Sequence, residues 1–495
     1  MQIPGRKQMS ENSISDTEIL RILYSHNPWW ANRPIPKSKL KDFKRRDYYK
    51  IIQQLDQDTI LAMIGARRVG KTTLLYQLIE ELLERTDPKN ILFVNLDDPY
   101  LHISLENLDK IFTVYSTNIL KSSFESSNDT IYIILDEIQS LKNWQNVLKR
   151  WFDLGYKIKF IVTGSSSTGI LEGSSESLVG RIKHQIVLPM KFLEYIRFKE
   201  QNDLGELIDS ANRRLRESLK NSVVHRTPNL FFDELDNSSK ILLPHNNKIQ
   251  VYLQEYLIKG GYPENISIDD LVVCGDNLKQ YLQLTLYKDI MRISQVREPK
   301  ALEYLFLIIA KESSQIFNRT NVANTLNVKR STTLNTYINL LKTAYLISEA
   351  EYYSRGAEKR ARKETKAYIN DVGIRNVSAS VFDEQVLVNN TELGKIVETV
   401  AADHTKRLKF NLEHLSADIF YWHDGYEVDL VIELFQVPLP IEVKYRENVT
   451  SNDLKSLKKF KEKFDPPVMI VITKNQLEIH EEKVYVPLWL YLLMC

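Results

Sequence analysis

Gly65-Ala66-Arg67-Arg68-Val69-Gly70-Lys71-Thr72-Thr73 follows the apolar run that begins at Thr59 and precedes Leu74, Leu75, Leu78, Ile79, Leu82 and Leu83. The leucines and isoleucines fall at the spacing of one helical face, so the stretch reads as strand, glycine-rich loop, helix. Residues 65–72 satisfy G-x-x-x-x-G-K-[ST] at every fixed position, in the context that the chemistry requires. Glycines let the backbone curl so that its N–H groups point inward at a phosphate, and the helix start adds the positive end of a dipole. Lys71 is expected at the β- and γ-phosphates of ATP, and the Thr72 hydroxyl on Mg²⁺. Residues 65–73 are the candidate nucleotide site.

Working outward, NILFVNLDD (90–98), IYIILDE (131–137) and KIKFIVTGSS (157–166) read as further buried strands with helical stretches between them. Alternating strand and helix predicts a mostly parallel α/β sheet. The third strand ends in Asp136-Glu137. Asp136 is expected to bind Mg²⁺ and Glu137 to orient and polarise the attacking water, so hydrolysis accompanies binding.

The chain has 495 residues, 43% hydrophobic and 26% charged, close to globular averages and long enough for about three domains. Lys plus Arg minus Asp plus Glu is 66 − 64 = +2, so any basic site must be local. Two cysteines, Cys274 and Cys495, exclude a disulfide framework and point to a reducing compartment. The first residues lack a signal-peptide core and no apolar stretch reaches membrane-spanning length, so a cytoplasmic protein without a membrane partner is expected. The closing VPLWLYLLMC is expected to complete a sheet or pack on a domain.

Residues 1–50 carry eleven Lys/Arg against five Asp/Glu and read as a basic arm, with Trp29, Trp30 and Tyr48 packing on the domain that follows rather than covering an adenine. The polar stretch 200–248 reads as an insertion or lid, with RRLRESLK helical and LDNSSK and PHNNK as turns. NRTNVANTL and NVKRSTTLNTYINLLKTAYL read as two helices around a turn. Leu334, Tyr337, Ile338 and Leu341 form the inner face of the second, leaving Lys329, Arg330, Thr332 and Asn335 outward. ISEAEYY and KAYIND pair as a hairpin around a segment with six Lys/Arg against two Glu between 355 and 366, a basic wing that includes Arg360, Arg362 and Lys363. These seven outward residues are the candidate DNA contacts of a winged helix. Its alternative use is as a lid or protein-contact module.

Beyond residue 380 the pattern is helix (392–408), three strands (418–423, 426–434, 439–445), helix (452–464) and strand (467–473). A hairpin turn at Asp424-Gly425 carries Asp429 onto the strand beside Glu442 and Lys444, and the preceding helix adds Glu398. Three carboxylates and a lysine suit Mg²⁺-assisted phosphodiester cleavage, with Asp429 and Glu442 as metal ligands, Lys444 as the water partner and Glu398 as an accessory ligand.

GARRVGKTTLL, LDEIQSLKNW, TGSSS, LVGRI, YLIKGGYPE, EVDLVIE and IEVKY together resemble prokaryotic, notably archaeal, AAA-type P-loop ATPases that end in a domain of unknown function with restriction-endonuclease-like character. The resemblance covers about residues 45–450, and the insertion at 200–248 departs from shorter members. It implies ATP binding and hydrolysis, DNA contact and possible homo-oligomers. In an AAA-type sheet Thr163 or Ser165 would sense the γ-phosphate, and Arg181 would be a transition-state arginine acting in cis or on a neighbour's site. The expected fold class is α/β: a basic arm (1–45), a parallel-sheet P-loop ATPase domain (46–199), an insertion and helical lid (200–298), a winged-helix domain (299–379) and a nuclease-like α/β domain (380–495). Two functions suit this organisation: an ATP-dependent DNA-processing enzyme, or a nucleotide-controlled switch whose nuclease-like domain is inactive.

Overall fold

The computed structural model describes residues 14–101, 104–165, 178–291, 296–328, 331–414 and 417–495. The chain divides into two compact units, residues 1–188 and 189–495.

The first unit is built on strands β1 (Ile60–Ile64), β2 (Ile91–Asn95), β3 (Ile131–Asp136), β4 (Ile158–Gly164) and β5 (Ile182–Ile186), in the order β2-β3-β4-β1-β5. All neighbours are parallel. The expectation of a parallel sheet rests on continuous apolar runs, and β1 is buried at all five positions because a parallel sheet is covered on both faces. β5 lacks that signature, with exposed Lys183 and Ile186 on an edge, and its sequence does not announce it.

The arm is more structured than its composition suggests. Ser15 caps the helix Asp16–His26, with Glu18 completing a capping box. Asn27 then pairs with the edge strand as another strand would: its Nδ2 donates to Phe93 O (2.8 Å) and its Oδ1 accepts from Phe93 N (2.7 Å). An open strand edge is a template for aggregation, and this segment covers it. Trp29 and Trp30 donate to Ile91 O and Trp30 stacks on Tyr115, so both tryptophans pack on the domain, as expected. Ile91 opens β2, at the sheet end away from the loop after β1, so neither tryptophan covers an adenine there.

In the second unit the stretch 200–248 is helical at RRLRESLK, as expected, and helical at LDNSSK, where a turn was expected. It forms the helices Asp203–His225 and Pro228–Leu242, and LDNSSK lies inside the latter. Leu215, Leu219, Phe231 and Leu235 are fully buried, so one apolar stripe of an otherwise charged helical hairpin supplies core. The helix Phe192–Lys199, expected with the ATPase domain, belongs to this unit. Residues 299–369 follow the order helix (Pro299–Lys311), β6 (Ile316–Phe317), helices Arg319–Thr325 and Ser331–Thr343, β7 (Ile347–Tyr352) and β8 (Thr365–Ile369). Leu334, Tyr337, Ile338 and Leu341 are buried and Thr332 is exposed, as the helical periodicity requires.

The C-terminal residues form the helix Asn390–Glu413, then β9 (Phe420–His423), β10 (Glu427–Leu434), β11 (Val437–Lys444), the helix Lys455–Phe464, β12 (Met469–Thr473), β13 (Glu478–His480), β14 (Lys483–Pro487) and the helix Leu488–Met494. Gly425, at φ +73°, makes the expected turn between β9 and β10. The closing apolar segment completes β14 and continues as a buried helix. β7 pairs in parallel with β9, so the hairpin β7–β8 and the C-terminal strands share one sheet, β13-β14-β12-β11-β10-β9-β7-β8-β6. Among the described residues, no helix is long and apolar enough to cross a membrane.

Candidate functional site

The loop between β1 and the helix Lys71–Leu83 curls because two positions admit nothing else. A Cβ on Gly65 would lie 1.9 Å from Val187 O, and Gly70 caps the helix at φ +98°. Arg45 braces the loop from outside: its Nη1 donates to Val69 O (2.8 Å) and its Nη2 to Leu188 O (2.9 Å). Arg45 is therefore part of the loop's support, not the last residue of a detached arm.

Lys71 opens the helix, and its buried Nζ donates to Gly65 O and Ala66 O at 2.9 and 2.8 Å. Thr72 Oγ1 donates to Asp136 Oδ2 (3.0 Å), which joins the loop to the end of β3. The strand order makes this possible, because β4 alone separates β1 from β3. From β4, Thr163 Oγ1 donates to Asp136 Oδ1 and accepts from Glu137 N (3.1 Å). Glu137 sits in the left-handed region at φ +58°, an uncommon conformation for a side-chain-bearing residue that is enriched at functional sites. Gln139 Nε2 donates to the Glu137 carboxylate and to Ser165 Oγ (3.0 Å). The sequence reading passed over Gln139, whose only signal is its place two residues after the acidic pair.

Burial, reinforced by the neighbouring Glu137 charge, pushes the Asp136 carboxyl above its ordinary range, against hydrogen bonds from Thr163 and Thr72 and the charge of Lys71. A carboxylate so placed gains from a cation. The Thr72 hydroxyl and Asp136 carboxylate are hard oxygen donors already within hydrogen-bond distance of each other, a donor set that fits Mg²⁺.

Arg181 lies away from its own chain's loop. Ile60 N donates to Arg181 O, and Ile182 pairs with Ile60 at the start of β1, so Arg181 lies at the end of the strands opposite the loop. Its Nε makes an ion pair with Asp153 (2.7 Å).

Glu398, Asp429, Glu442 and Lys444 do converge in the second unit. Asp429 Oδ2 accepts from Val443 N (2.7 Å), and Lys444 Nζ lies 2.5 Å from Glu442 and 4.0 Å from Asp429. The sequence reading missed Lys366 of β8, which enters the same cluster. Its Nζ is 2.9 Å from Glu398, 2.6 Å from Glu427 and 4.0 Å from Asp429, and the side chain is 1% exposed. Tyr368 OH donates to Glu398 (2.9 Å). Burial raises the Glu398 carboxyl to about 7 and the Glu442 carboxyl to about 8. Among the described residues no group of three metal-ligating side chains is arranged to hold a metal ion. Two ammonium groups, Lys366 and Lys444, therefore lie among the carboxylates read from the sequence as metal ligands, Asp429, Glu442 and Glu398.

Of the expected DNA contacts, Lys329 and Arg330 lie outside the described residues. Asn335 accepts from Arg319 (2.9 Å). Arg362 and Lys363 are exposed on the hairpin. Arg360 does not project: its Nε donates to Ser354 O, and the guanidinium lies 4.7 Å from the Phe420 ring centroid.

Residues 57–196 match the family model described as an AAA domain. Residues 250–385 and 393–491 match two domains of unknown function, DUF8612 and DUF4143. The uncharacterized protein MJ1544 of Methanocaldococcus jannaschii is 26% identical over 433 residues, covering 85% of this chain and 83% of that protein. The uncharacterized protein Rv2008c of Mycobacterium tuberculosis is 23% identical over 416 residues, covering 81% and 74%. Among solved structures, a Walker-type ATPase of Pyrococcus abyssi is similar at 17% identity and TM-score 0.39, over 68% of this chain and 95% of that one. The ORC1 protein of Aeropyrum pernix, solved in complex with DNA, is similar at 10% identity and TM-score 0.30, over 70% and 95%. The family match over residues 57–196 and the parallel sheet with its glycine-rich loop support an AAA-type P-loop ATPase in this part of the chain.

Proposed function

We propose that this protein is an ATP-driven switch: residues 65–73 bind MgATP, the domain hydrolyses it, and turnover controls how residues 299–379, read as a winged helix, engage DNA. The observation that carries the ATPase reading is the linkage of Thr72 to Asp136, with Thr163 bridging Asp136 and Glu137. Loop amides and Lys71 hold the phosphates, and Lys71 exchanges the Gly65 and Ala66 carbonyls for phosphate oxygens. Thr72 and Asp136 would hold Mg²⁺, which supplies charge neutralisation on the phosphates. Glu137 orients and polarises the attacking water, and Gln139 ties its carboxylate to Ser165. Thr163 at the end of β4 and Ser165 just beyond it would respond to loss of the γ-phosphate, a reading that their contacts with Asp136 and Gln139 support.

The DNA reading is supported by the helix, strand and hairpin order of residues 299–369 and by exposed Thr332, Arg362 and Lys363. We read the C-terminal residues as a restriction-endonuclease-like domain that does not cut, because Lys366 supplies a fixed positive charge beside Glu398, Glu427 and Asp429. The test is to measure ATP turnover with and without duplex DNA, and strand scission in Mg²⁺ and in Mn²⁺. ATP turnover that responds to DNA without cut strands is the expected result. Cutting that Asp429→Ala and Lys444→Ala abolish would establish the DNA-processing enzyme instead, and hydrolysis unchanged in Lys71→Ala would overturn the nucleotide site.

A further inference from the structure

The tip of the hairpin β7–β8 does not stand alone. Lys359 and Lys363 lie over the Tyr352 ring, at 5.8 and 5.7 Å from its centroid. Lys463, a hundred residues further along in the helix Lys455–Phe464, lies 5.4 Å from the Trp422 ring and 5.9 Å from the Phe464 ring, and Arg355 of the hairpin lies 5.9 Å from that same Phe464. Lys459, one turn earlier, covers Tyr426 at 4.8 Å. The floor beneath these cations is rigid, because Tyr352, Trp422 and Phe460 are buried in one aromatic cluster. All five cations are exposed.

Asp424 is the carboxylate set among them. It pairs with Lys463 (3.1 Å), and Lys463, Lys459 and Lys359 together hold it below its ordinary range. Two chain segments therefore present five exposed cations, three of which act on Asp424, in a protein whose net charge is only +2. A lysine-rich helix alone is an ordinary solvated face. Convergence with a second basic segment over shared aromatic rings is not.

We propose that the hairpin tip and the Lys459/Lys463 face of the helix Lys455–Phe464 form one surface for the phosphodiester backbone of duplex DNA. The rings decide between duplex and single strand. Non-specific single-strand binding stacks bases on open aromatic faces. Here ammonium or guanidinium groups lie over Tyr352, Tyr426 and Phe464, so the surface presents charge rather than stacking platforms. Contacts of this kind position a duplex without reading its sequence. The inference rests on the DNA reading above and places that contact on the hairpin and the C-terminal helix together.

The test uses the full chain and a fluorescently labelled duplex, with anisotropy recorded across a salt series. Lys459→Glu/Lys463→Glu is compared with wild type and with Lys240→Glu/Lys279→Glu, an equal charge change on helices outside the patch. Loss of two phosphate contacts at a slope of about 0.9 each weakens binding about thirtyfold near ~0.15 M salt and lowers the slope of log affinity against log salt by about 2. The control pair should leave both nearly unchanged, and melting curves should coincide. Equal weakening in both pairs, or an unchanged slope in the first, overturns the inference while leaving the DNA reading intact. Tighter binding of single strand than of duplex also overturns it. If wild type binds no DNA but binds anionic lipid vesicles, the DNA reading fails together with it.

Discussion

Lys366→Met removes the buried ammonium that joins the hairpin to the C-terminal carboxylates. Its Nζ lies 2.9 Å from Glu398 and 2.6 Å from Glu427, and methionine keeps most of its volume while discarding its charge. Removing one partner of a buried ion pair costs about 3–5 kcal/mol, because the other is left uncompensated. For a large domain that lowers the melting temperature by roughly 6–10 °C. The penalty must depend on pH, and its sign is fixed. Lys366 is held well above its ordinary range, so its contribution is fully present throughout the neutral region. Burial already raises Glu398 to about 7, and loss of Lys366 raises it further. A carboxyl raised by folding binds its proton more tightly in the native state, so stability falls as pH rises from the unfolded value toward the folded one. The gap between variant and wild type should therefore be widest near pH 8 and shrink toward pH 5. Scanning calorimetry at several pH values reads both quantities. A gap that stays constant with pH, or a melting temperature that does not move, would refute the electrostatic account of this cluster.

Other outcomes follow from the first unit. Gly65→Ala drives a Cβ to 1.9 Å from a backbone oxygen, so ATP binding should be lost even where the protein stays folded, as nucleotide titration and circular dichroism would show. Arg45→Ala leaves the Val69 and Leu188 carbonyls without a charged donor, each such bond contributing about 1.5–3 kcal/mol, and should weaken ATP affinity measurably in a calorimetric titration. Glu137→Gln should keep ATP binding while turnover drops by about 10²–10⁴-fold in a phosphate-release assay. Arg181→Ala should leave nucleotide affinity at high dilution unchanged, since its own chain's site lies at the opposite end of the strands; a loss under those conditions would contradict the strand register.

Local rules made much of this legible. Continuous apolar strands bounded by glycine or acidic pairs identified β1, β3 and β4, and the loop between β1 and its helix carried its function in its spacing. β5 stayed hidden because Lys183 and the exposed Ile186 of an edge strand do not form an apolar run. LDNSSK reads as a turn by composition, yet Leu235 and Ser238 are buried against tertiary neighbours and the helix runs through it. Strand alternation and the hairpin bring Asp429, Glu442 and Lys444 together, and the preceding helix adds Glu398, but Lys366 reaches them through the pairing of β7 with β9, a contact between strands some seventy residues apart. Arg360 illustrates the same limit: in the sequence it is one charge in a basic run, and in the fold it lies flat on Phe420. Long-range pairing decides whether a charge faces water, and one-dimensional periodicity does not carry it.

The central claim is that residues 65–73, completed by Asp136, grip MgATP. Calorimetric titration of MgATP into the full chain, set beside Lys71→Ala, tests it most directly. Saturable binding with one site per chain, abolished by the substitution while the melting curve is retained, is the predicted result. Equal heats in both proteins, or none in wild type, would contradict it.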